Sequence, residues 1–388
     1  MENQDRYDVI IAGAGPAGIS TALHLAQVAP ELVAHTLILE KARHPRHKLC
    51  GGGILEDAEV ILRGLGLDIQ EVPHCDVDWA HFDYDGKGFR MRSEKEGRIA
   101  FRTIRRHEFD AWLADKARQR GFRIIEEAAV KSLTLGETEV CVHTDKGDYG
   151  ASVVVGADGS KSVVRRAVVP QEQTHSARLL EIVTEPRPEA SFHLQANSYF
   201  EFLYLPQGIQ GYSWDFPAVE NGQPVRVRGI YDGNVISIDK KIGLVEALAD
   251  ELRHHGYDLG AYKVEGHPLR WFEPRSAFAI PRVLLVGDAA GSDALFGEGI
   301  SIALGYGKIA AGAIREAFIR QDFRFQDYKS RIMRSEMGKS LWRRTWMARI
   351  FLHLRSRRFQ AFCWQHLGWL VEWVMQTFMI GWAKREKK

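Results

Sequence analysis

Cysteine is scarce in this sequence. The four cysteines are Cys50, Cys75, Cys141 and Cys363, and they form neither a CxxC pair nor a cluster with histidines at metal-ligand spacing. Disulfide frameworks and structural zinc sites both depend on such closely placed cysteines. The sequence therefore suggests no disulfide framework and no bound metal, and a reducing cytosol is the simplest setting.

An excess of charge and an N-terminal apolar leader are also missing. The 388 residues carry 52 basic and 50 acidic side chains, a formal net charge of +2. Such a balance does not give the chain as a whole the positive field that attracts nucleic acids. The opening residues, MENQDRYDVIIAG, lack a basic segment followed by a long apolar stretch, so no signal peptide is visible. We expect a cytoplasmic protein without a nucleic-acid partner.

Internal repeats and low-complexity stretches are absent as well. With 45% hydrophobic residues, 26% charged residues and 36 glycines, the composition excludes disorder, collagen and coiled coil. The chain is long enough for about two packed units.

The first chemical signal is a glycine-rich turn near the N-terminus. A short apolar run, 8–12, leads into Gly13-Ala14-Gly15-Pro16-Ala17-Gly18, and an apolar-rich helix is predicted over 19–28. A pyrophosphate can approach a helix N-terminus only if no side chain blocks the backbone amides, and the third glycine lets the helix pack closely on the strand. A second apolar run, 36–39, ends in Glu40, where a ribose-binding acid is expected. These features predict a bound dinucleotide.

Two later segments repeat the pattern of a buried strand followed by a glycine-bearing turn. Residues 151–155 pass into Gly156-Ala157-Asp158-Gly159-Ser160, and residues 282–286 pass into Gly287-Asp288-Ala289-Ala290-Gly291, with a helix predicted over 299–318. The chain thus returns repeatedly to one nucleotide-binding domain. Taken singly, Asp158 and Asp288 are typical turn aspartates.

The middle of the chain is strand-like and aromatic. A hairpin is predicted over 77–92 around Asp85-Gly86. Further strands are predicted over 191–194, 199–205, 211–216 and 225–231, and helices over 109–120 and 242–254. A mostly antiparallel sheet with aromatic side chains on one face suits a large apolar ligand, although such aromatics also form ordinary sheet core.

These patterns predict an α/β protein in which a Rossmann-type nucleotide-binding domain contains an inserted substrate-binding β-sheet domain and is followed by a helical segment. The predicted limits are 1–76, 98–175 and 276–340 for the first domain, 77–97 and 176–275 for the second, and 341–388 for the helices.

The three ordered motifs resemble those of flavoprotein hydroxylase-type enzymes. Arg106-His107-Glu108-Phe109-Asp110 is similar to the R-x-x-F-D segment of that superfamily, whose arginine lies near the cofactor. The resemblance implies FAD, with Asp288 at the ribityl or ribose region and the following helix directed at the flavin.

Within that superfamily the chain resembles the geranylgeranyl reductase family. The resemblance rests on Lys48-Leu49-Cys50-Gly51, Tyr212-Ser213-Trp214-Asp215-Phe216-Pro217 and Gly297-Glu298-Gly299-Ile300. It implies reduction of isolated carbon–carbon double bonds in a prenyl chain of a lipid, quinone or pigment by reduced FAD. Where the family usually has a proline before Gly-Glu-Gly-Ile, this chain reads Asp293-Ala294-Leu295-Phe296, and Pro206 lies farther than usual from the Tyr-x-Trp segment.

The resemblance implies these cofactor-binding residues: Gly13, Gly15, Pro16, Ala17, Gly18, Glu40, Lys41, Lys48, Cys50, Gly51, Arg106, Asp158, Gly159, Asp288, Gly297, Gly299 and Ile300. Tyr212, Trp214, Phe216 and Pro217 are the predicted substrate-binding residues. Because only one GxGxxG is present, the electron donor is expected to be a transient NAD(P)H or a ferredoxin-type protein.

Cys50 is the predicted catalytic residue. An isolated alkene has no carbonyl to polarise, so it must be held against the flavin in a dry site while a proton reaches its second carbon. Glycines beside Cys50 permit close approach, and the thiol would donate that proton or position the substrate. The alternative is a small buried hydrophobic side chain.

The C-terminal segment is rich in tryptophan and basic residues. On a helical wheel Trp342, Trp346, Ile350 and Leu354 form one row, with Arg344, Arg349 and Arg355 on its other side. Residues 366–383 are long enough to span a membrane but contain Glu372 and Gln376, so a membrane-surface helix on the inner leaflet is favoured over a spanning one. A helical cap on the protein core and a dimer interface are the alternatives; the oligomeric state cannot be read.

Two other functions stay open at this point. One is a flavin monooxygenase that hydroxylates a hydrophobic substrate, and the other is a non-catalytic, flavin-holding membrane adaptor. No nucleophile elbow, P-loop or paired-carboxylate motif is present, and His44, His47, His254, His255 and His267 are interpreted as surface or core residues.

Overall fold

A computed structural model describes residues 5–92, 99–171, 176–186, 197–237, 241–351, 354 and 356–386. The strands are β1 Asp5–Ala12, β2 Thr36–Leu39, β3 Gly53–Ile54, β4 His74–Val77, β5 Trp79–Tyr84, β6 Lys87–Met91, β7 Phe101–Ile104, β8 Arg123–Ile125, β9 Val130–Leu135, β10 Val140–Thr144, β11 Gly147–Gly156, β12 Ser176–Thr184, β13 Asn197–Glu201, β14 Gly211–Glu220, β15 Gln223–Asp232, β16 Glu265–Arg270, β17 Ala279–Ile280 and β18 Val283–Leu285.

The helices are α1 Pro16–Val28, α2 Glu56–Gly64, α3 Arg106–Gln119, α4 Val163–Val168, α5 Leu244–His254, α6 Ile300–Arg320, α7 Tyr328–Arg334, α8 Glu336–Phe351, α9 Arg357–His366, α10 Gly368–Val374 and α11 Trp382–Arg385. A π-helical turn, Met375–Met379, joins α10 to the last helix.

The first sheet is built on five neighbouring parallel strands in the order β18-β11-β1-β2-β8. β17 adds to one edge, and β10 and β9 continue antiparallel from β11. Because strands buried on both faces read as continuous apolar runs, β1, β2 and β11 are visible in the sequence. Parallel strands end at one edge of a sheet, so the segments after β1, β2, β11 and β18 meet there.

Helices α1 and α6 pack on each other across this domain. The Ser20 hydroxyl donates a hydrogen bond of 2.7 Å to the Leu304 carbonyl oxygen. At Gly307 a Cβ would lie 2.4 Å from Ser20 Oγ, so the close helix contact requires glycine there. This packing fixes the N-termini of both helices relative to the sheet.

The second sheet has the order β16-β12-β15-β14-β13-β5-β6. Its neighbours are antiparallel except for the parallel pair β13 and β5. Side chains alternate between the faces of a strand, so one face carries an aromatic cluster, including Phe82 and Trp214, while the other packs on α5 through Ile230 and Leu248. A small antiparallel sheet, β3-β7-β4, joins the two domains.

The predicted α/β class, with an antiparallel β-sheet domain and a C-terminal helical segment, is confirmed; the exact domain limits stay a prediction. The hairpin around Asp85 is present as β5 and β6. The strand predicted over 199–205 ends at Glu201, and the one predicted over 191–194 lies outside the described residues. Strands β12 and β16 were not predicted. Gly266 and Pro268 are unusual in strands, so the sequence of β16 lacks a clear strand pattern. The strand tolerates them because it lies at the edge of the sheet.

The C-terminal helices return to the protein body. Trp382 is fully buried and would contact any side chain at Gly305, whose added Cβ would lie 2.6 Å from the indole. Asp57 of α2 accepts hydrogen bonds from the backbone N–H groups of Gly381 (2.9 Å) and Ala383 (2.8 Å). Part of the segment is therefore a cap on the core, as one alternative predicted. None of the described helices combines the length and apolar character needed to cross a bilayer.

Candidate active site

One cavity of about 1450 Å³ lies between the carboxyl edge of the first sheet and the aromatic face of the second. Its wall includes nearly all the predicted site residues, among them Gly15, Glu40, Cys50, Asp288 and Trp214. A cleft between two domains at the carboxyl ends of parallel strands is a common place for a cofactor and substrate. The cavity is large enough for both.

The N-terminus of α1 opens into this cavity. Gly15 is its N-cap, no side chain caps the helix, and Pro16 and Ala17 line the wall. Gly13 has φ +111°, and an added Cβ would lie 2.3 Å from the Ala157 carbonyl oxygen. Gly18 does not line the cavity; its own added Cβ would lie 1.9 Å from the Gly13 carbonyl oxygen, so its role is close packing of helix on strand. The amides and the helix dipole together favour an anionic group here.

Glu40 lies beside this helix terminus. It is 3% exposed, and its two carboxylate oxygens accept hydrogen bonds from the Ala14 N–H (3.0 Å) and the Ala42 N–H (3.1 Å). Arg46 Nε lies 3.4 Å from Glu40 Oε1, and Lys41 lines the neighbouring wall. The carboxylate is thus fixed beside the N-terminus of α1, where the sequence predicted a ribose-binding acid.

Asp158 and Asp288 play different parts. The Asp158 carboxylate accepts hydrogen bonds from the Ser162 hydroxyl and from the Val163 N–H at 2.6 Å, so it holds the start of α4. Gly159 lies beside it on the cavity wall. Asp288 accepts one hydrogen bond of 3.2 Å from the Ser160 hydroxyl and lies on the same wall. Asp288 is therefore better placed than Asp158 to bind a ligand through its carboxylate.

The N-terminus of α6 forms the opposite side of the cradle. Gly299 is the N-cap, again without a side-chain cap or an acidic residue in the first turn, and Ile300 follows. Gly297 has φ +65°, and its added Cβ would lie 3.1 Å from the Tyr231 ring. The glycines keep the backbone amides open to a flat ligand.

These features fit FAD. Two uncapped helix N-termini face one cavity, glycines leave their amides accessible, and the buried Glu40 carboxylate lies beside the first of them. Buried atoms at the same site also lack a hydrogen-bond partner within the described part of the chain, namely Glu298 Oε1 and Trp214 Nε1. Unpartnered buried polar atoms are costly unless a ligand or water satisfies them.

The loop before β3 brings Lys48, Cys50 and Gly51 to the cavity. Lys48 Nζ lies 2.5 Å from His267 Nε2 of β16. Burial lowers the pKa of Lys48 to about 8 against the attraction of Asp288. Burial and the nearby Lys48 charge lower the pKa of His267 to about 3. At neutral pH the ammonium therefore donates to a neutral imidazole, and His267, interpreted from the sequence as a surface or core residue, is a cavity residue.

Cys50 lies between charged groups. Its Sγ accepts a hydrogen bond of 3.4 Å from the Gly52 N–H, and the Arg106 guanidinium hydrogen-bonds the thiol group. Arg106 Nε and Nη2 donate to the two Asp110 oxygens at 2.8 and 2.9 Å. Although burial opposes the charge on Arg106, Asp110 holds the pKa of the guanidinium above its usual value. Asp110 thereby fixes Arg106 as a cation beside the thiol.

Glu181 of β12 lies on the far side of the Cys50 loop. It is buried, and burial raises the pKa of its carboxyl to about 7, although Arg105 and the Cys50 backbone N–H both favour the carboxylate. This residue was not predicted, since β12 itself was not recognised. It anchors the loop that carries Cys50.

The aromatic wall comes from β14. Tyr212, Trp214 and Phe216 are every second residue of the strand, and all three line the cavity. An added Cβ at Gly51 would lie 3.1 Å from Phe216 and 3.2 Å from Trp214 Nε1. Pro217 of the same segment does not line the cavity, so its predicted contact with substrate stays a prediction. With a side-chain period of two, its ring points to the other face of the strand, and its carbonyl oxygen accepts a hydrogen bond from the Thr103 hydroxyl.

The C-terminal segment supplies wall residues that the sequence did not reveal. Arg344 of α8 is 2% exposed, lines the cavity, and donates from Nη1 to Asp293 Oδ2 (3.0 Å) and Glu298 Oε2 (2.5 Å). It lies opposite the row of Trp342, as the wheel predicts, but inside the protein. Asp293 also accepts a hydrogen bond of 2.8 Å from the Leu295 N–H, which holds the turn that precedes Gly297.

One group of metal-type side chains lies away from the cavity on β10 and β11. Cys141, His143 and Asp148 have candidate ligand atoms within 4.8 Å of one another. Both His143 nitrogens already contact protein atoms, Nδ1 at 2.9 Å from Asp148 and Nε2 at 2.8 Å from the Thr134 hydroxyl. These contacts with Asp148 and Thr134 already account for the position of His143.

Known proteins match over most of the chain. Residues 6–222 match a family described as "FAD binding domain". Digeranylgeranylglycerophospholipid reductase 1 of Methanopyrus kandleri is 30% identical over 334 residues, covering 80% of this chain and 81% of that protein. Menaquinone reductase of Mycolicibacterium smegmatis is 26% identical over 332 residues, covering 79% and 76%.

The fold also matches a solved structure. A geranylgeranyl bacteriochlorophyll reductase-like protein from Thermoplasma acidophilum superposes with a TM-score of 0.77 at 22% identity, over 99% of this chain and 96% of that one. This likeness concerns the whole architecture, including the C-terminal helices.

Proposed function

Because the chain belongs to the geranylgeranyl reductase family of FAD-dependent oxidoreductases, we propose that it saturates isolated carbon–carbon double bonds of a prenyl chain carried by a lipid or quinone. The observation that carries the proposal is the aromatic wall of Tyr212, Trp214 and Phe216, which lines the same cavity as the N-terminus of α6. An apolar slot opposite a flavin cradle suits a substrate without polar handles.

Bound FAD, once reduced, supplies a hydride. The α1 N-terminus and Glu40 would hold its pyrophosphate and ribose, and the α6 N-terminus would lie against its ring system. NAD(P)H or a ferredoxin-type protein is proposed as the external donor. The aromatic wall excludes water from the slot and orients the prenyl chain. Orienting the chain lowers the entropic cost of reaching the transition state.

Saturating one bond requires a hydride at one carbon and a proton at the other. We assign the proton to Cys50 Sγ, which lies in the cavity wall beside Arg106. The S–H bond breaks as the new C–H bond forms, and the thiolate left behind lies next to the guanidinium. The Lys48 ammonium, on the same loop, then returns a proton to the thiolate, and the resulting amine regains its proton from water.

Turnover without oxygen tests this function. The FAD-loaded protein would receive a detergent-dispersed prenyl lipid or prenylquinone and a chemical reductant under anaerobic conditions, and mass spectrometry would follow the substrate. We expect a gain of two hydrogens per reduced bond and no added oxygen. A product that forms only in air and contains new oxygen would favour the monooxygenase, and bound flavin without any product would favour the adaptor.

A further inference from the structure

Large apolar side chains are exposed on the C-terminal segment to an unusual degree. Of the thirteen exposed large hydrophobic residues in the described chain, nine lie between residues 342 and 373. The most prominent, which we call the aromatic face, are Trp342, Trp346, Ile350, Phe362, Trp369 and Trp373. Single exposed apolar residues are ordinary, but a cluster of this size marks a contact surface.

The aromatic face consists of two helical rows and of Phe362, which lies on α9 between them in the sequence. Trp342, Trp346 and Ile350 follow one another at i, i+4 spacing on α8, and the rings of Trp342 and Trp346 lie 6.0 Å apart. Trp369 and Trp373 form a second row on α10. Trp364 and Trp382 are buried beneath the same helices, so the exposed tryptophans are not needed to fill the core.

The second row reaches the substrate cavity. Trp373 is 53% exposed and also lines the cavity, together with Met375, Gln376 and Thr377 of the following turn. The outer surface and the apolar slot are therefore continuous at this point. A lipid tail could pass from the aromatic face into the slot along Trp373 and Met375.

Charge decides between the partners that such a surface could accept. Residues 342–386 contain eight arginines and lysines against two glutamates. Arg344 is buried, and three more of these cations pair with acids of the protein body, but Arg357 and Arg358 are exposed at the start of α9. In a symmetric dimer each copy would present this basic surface to itself, and like charges facing each other are unfavourable. Tryptophans flanked by cations instead match a bilayer interface with anionic headgroups.

We propose that the aromatic face docks on an anionic lipid bilayer, both rows together, with the cavity opening toward the membrane. Docking is a property of this surface alone. The further step, that the prenyl chain enters the slot from the bilayer, rests on the proposed function.

Flotation of the full-length, FAD-loaded protein with vesicles tests docking. We expect it to float with phosphatidylcholine vesicles that contain phosphatidylglycerol, to float less with phosphatidylcholine alone, and to lose binding as salt rises. Protein that stays in the bottom fraction with both vesicle types would overturn the proposal.

Matched variants then test each row. Trp342→Ser/Trp346→Ser and Phe362→Ser/Trp369→Ser should each lower vesicle partitioning by about tenfold or more, because interfacial binding scales with apolar area buried. Val245→Ser/Ile319→Ser removes two exposed apolar side chains elsewhere and should change nothing. Unchanged binding in either aromatic variant contradicts joint docking. If sedimentation shows a wild-type dimer that both variants abolish, with no vesicle binding, the partner is a second copy.

A separate assay keeps this proposal distinct from the proposed function. With a detergent-dispersed prenyl substrate, both aromatic variants should turn over as the wild type does, because neither touches the cavity. Wild-type docking without turnover would remove the proposed function and leave docking intact. Equal loss of turnover in detergent and on vesicles would show that the variants damage the enzyme itself, and would overturn a docking-specific role.

Discussion

At the scale of single residues, the account centres on the cluster of Lys48, Cys50, Arg106 and His267. Lys48, Cys50 and Arg106 were predicted because their motifs resemble those of a known family. His267 could not be identified, since it reaches the cavity only through the register of β16 against β12, a pairing between distant segments. Long-range register has no local signature.

Replacing Cys50 by alanine should lower turnover of the prenyl substrate by about 100-fold, the contribution of a positioned acid, while FAD stays bound. Stopped assays under anaerobic conditions measure this, with flavin absorbance as the check on binding. Cys75→Ala is the matched control, because Cys75 is also partly buried but lies outside the cavity. A Cys50→Ala variant with full turnover removes the assignment of the proton donor.

Turnover should fall as pH rises through about 8. The pKa of Lys48 lies near 8, below its usual 10.5, so the ammonium that reprotonates Cys50 is lost above that pH. A Lys48→Arg variant keeps the positive charge, but a guanidinium does not give up its proton in this pH range, so the variant should turn over slowly and show no separate fall near pH 8. The measurement is a pH profile of turnover for both proteins, and an identical alkaline fall in the two would contradict the role of Lys48.

At the scale of elements, the sequence predicted what local patterns encode. Strands β1, β2 and β11 and helices α1 and α6 follow from apolar runs ended by glycine turns. The C-terminal helices were visible, but their contacts were not. Whether Trp382 faces water or Gly305 depends on Asp57 holding α11, a contact across more than 300 residues. The tryptophans therefore divide into buried and exposed groups that the helical wheel cannot separate.

Helix α8 contributes a buried ion pair to the flavin cradle, and this makes a prediction for that element. Arg344→Met should lower the free energy of unfolding by about 3–5 kcal/mol, because Asp293 and Glu298 would stay buried without their cation. Denaturant unfolding measures the change. The variant Arg344→Met/Asp293→Asn/Glu298→Gln removes the charges on all three and should recover much of the loss. No recovery would contradict the electrostatic explanation.

At the scale of the whole molecule, two domains and a terminal cap enclose one cavity. The sequence alone predicts the glycine cradle of the first domain and the aromatic wall of the second. It does not show that both line one cavity, because that depends on how the two domains pack in the fold. Pro217 shows the same limit on a smaller scale: it follows Phe216 in the motif, but it does not line the cavity because successive side chains of a strand point to opposite faces.

The most direct test of the central claim follows the flavin itself. FAD bound to the protein would be reduced under strict anaerobic conditions until its yellow colour is bleached, and a prenyl lipid would then be added. The account predicts that the absorbance of oxidised flavin returns as the double bonds are saturated, and that a fully saturated analogue leaves the flavin bleached. Flavin that stays bleached with the unsaturated substrate and recovers only when oxygen is admitted would contradict the account.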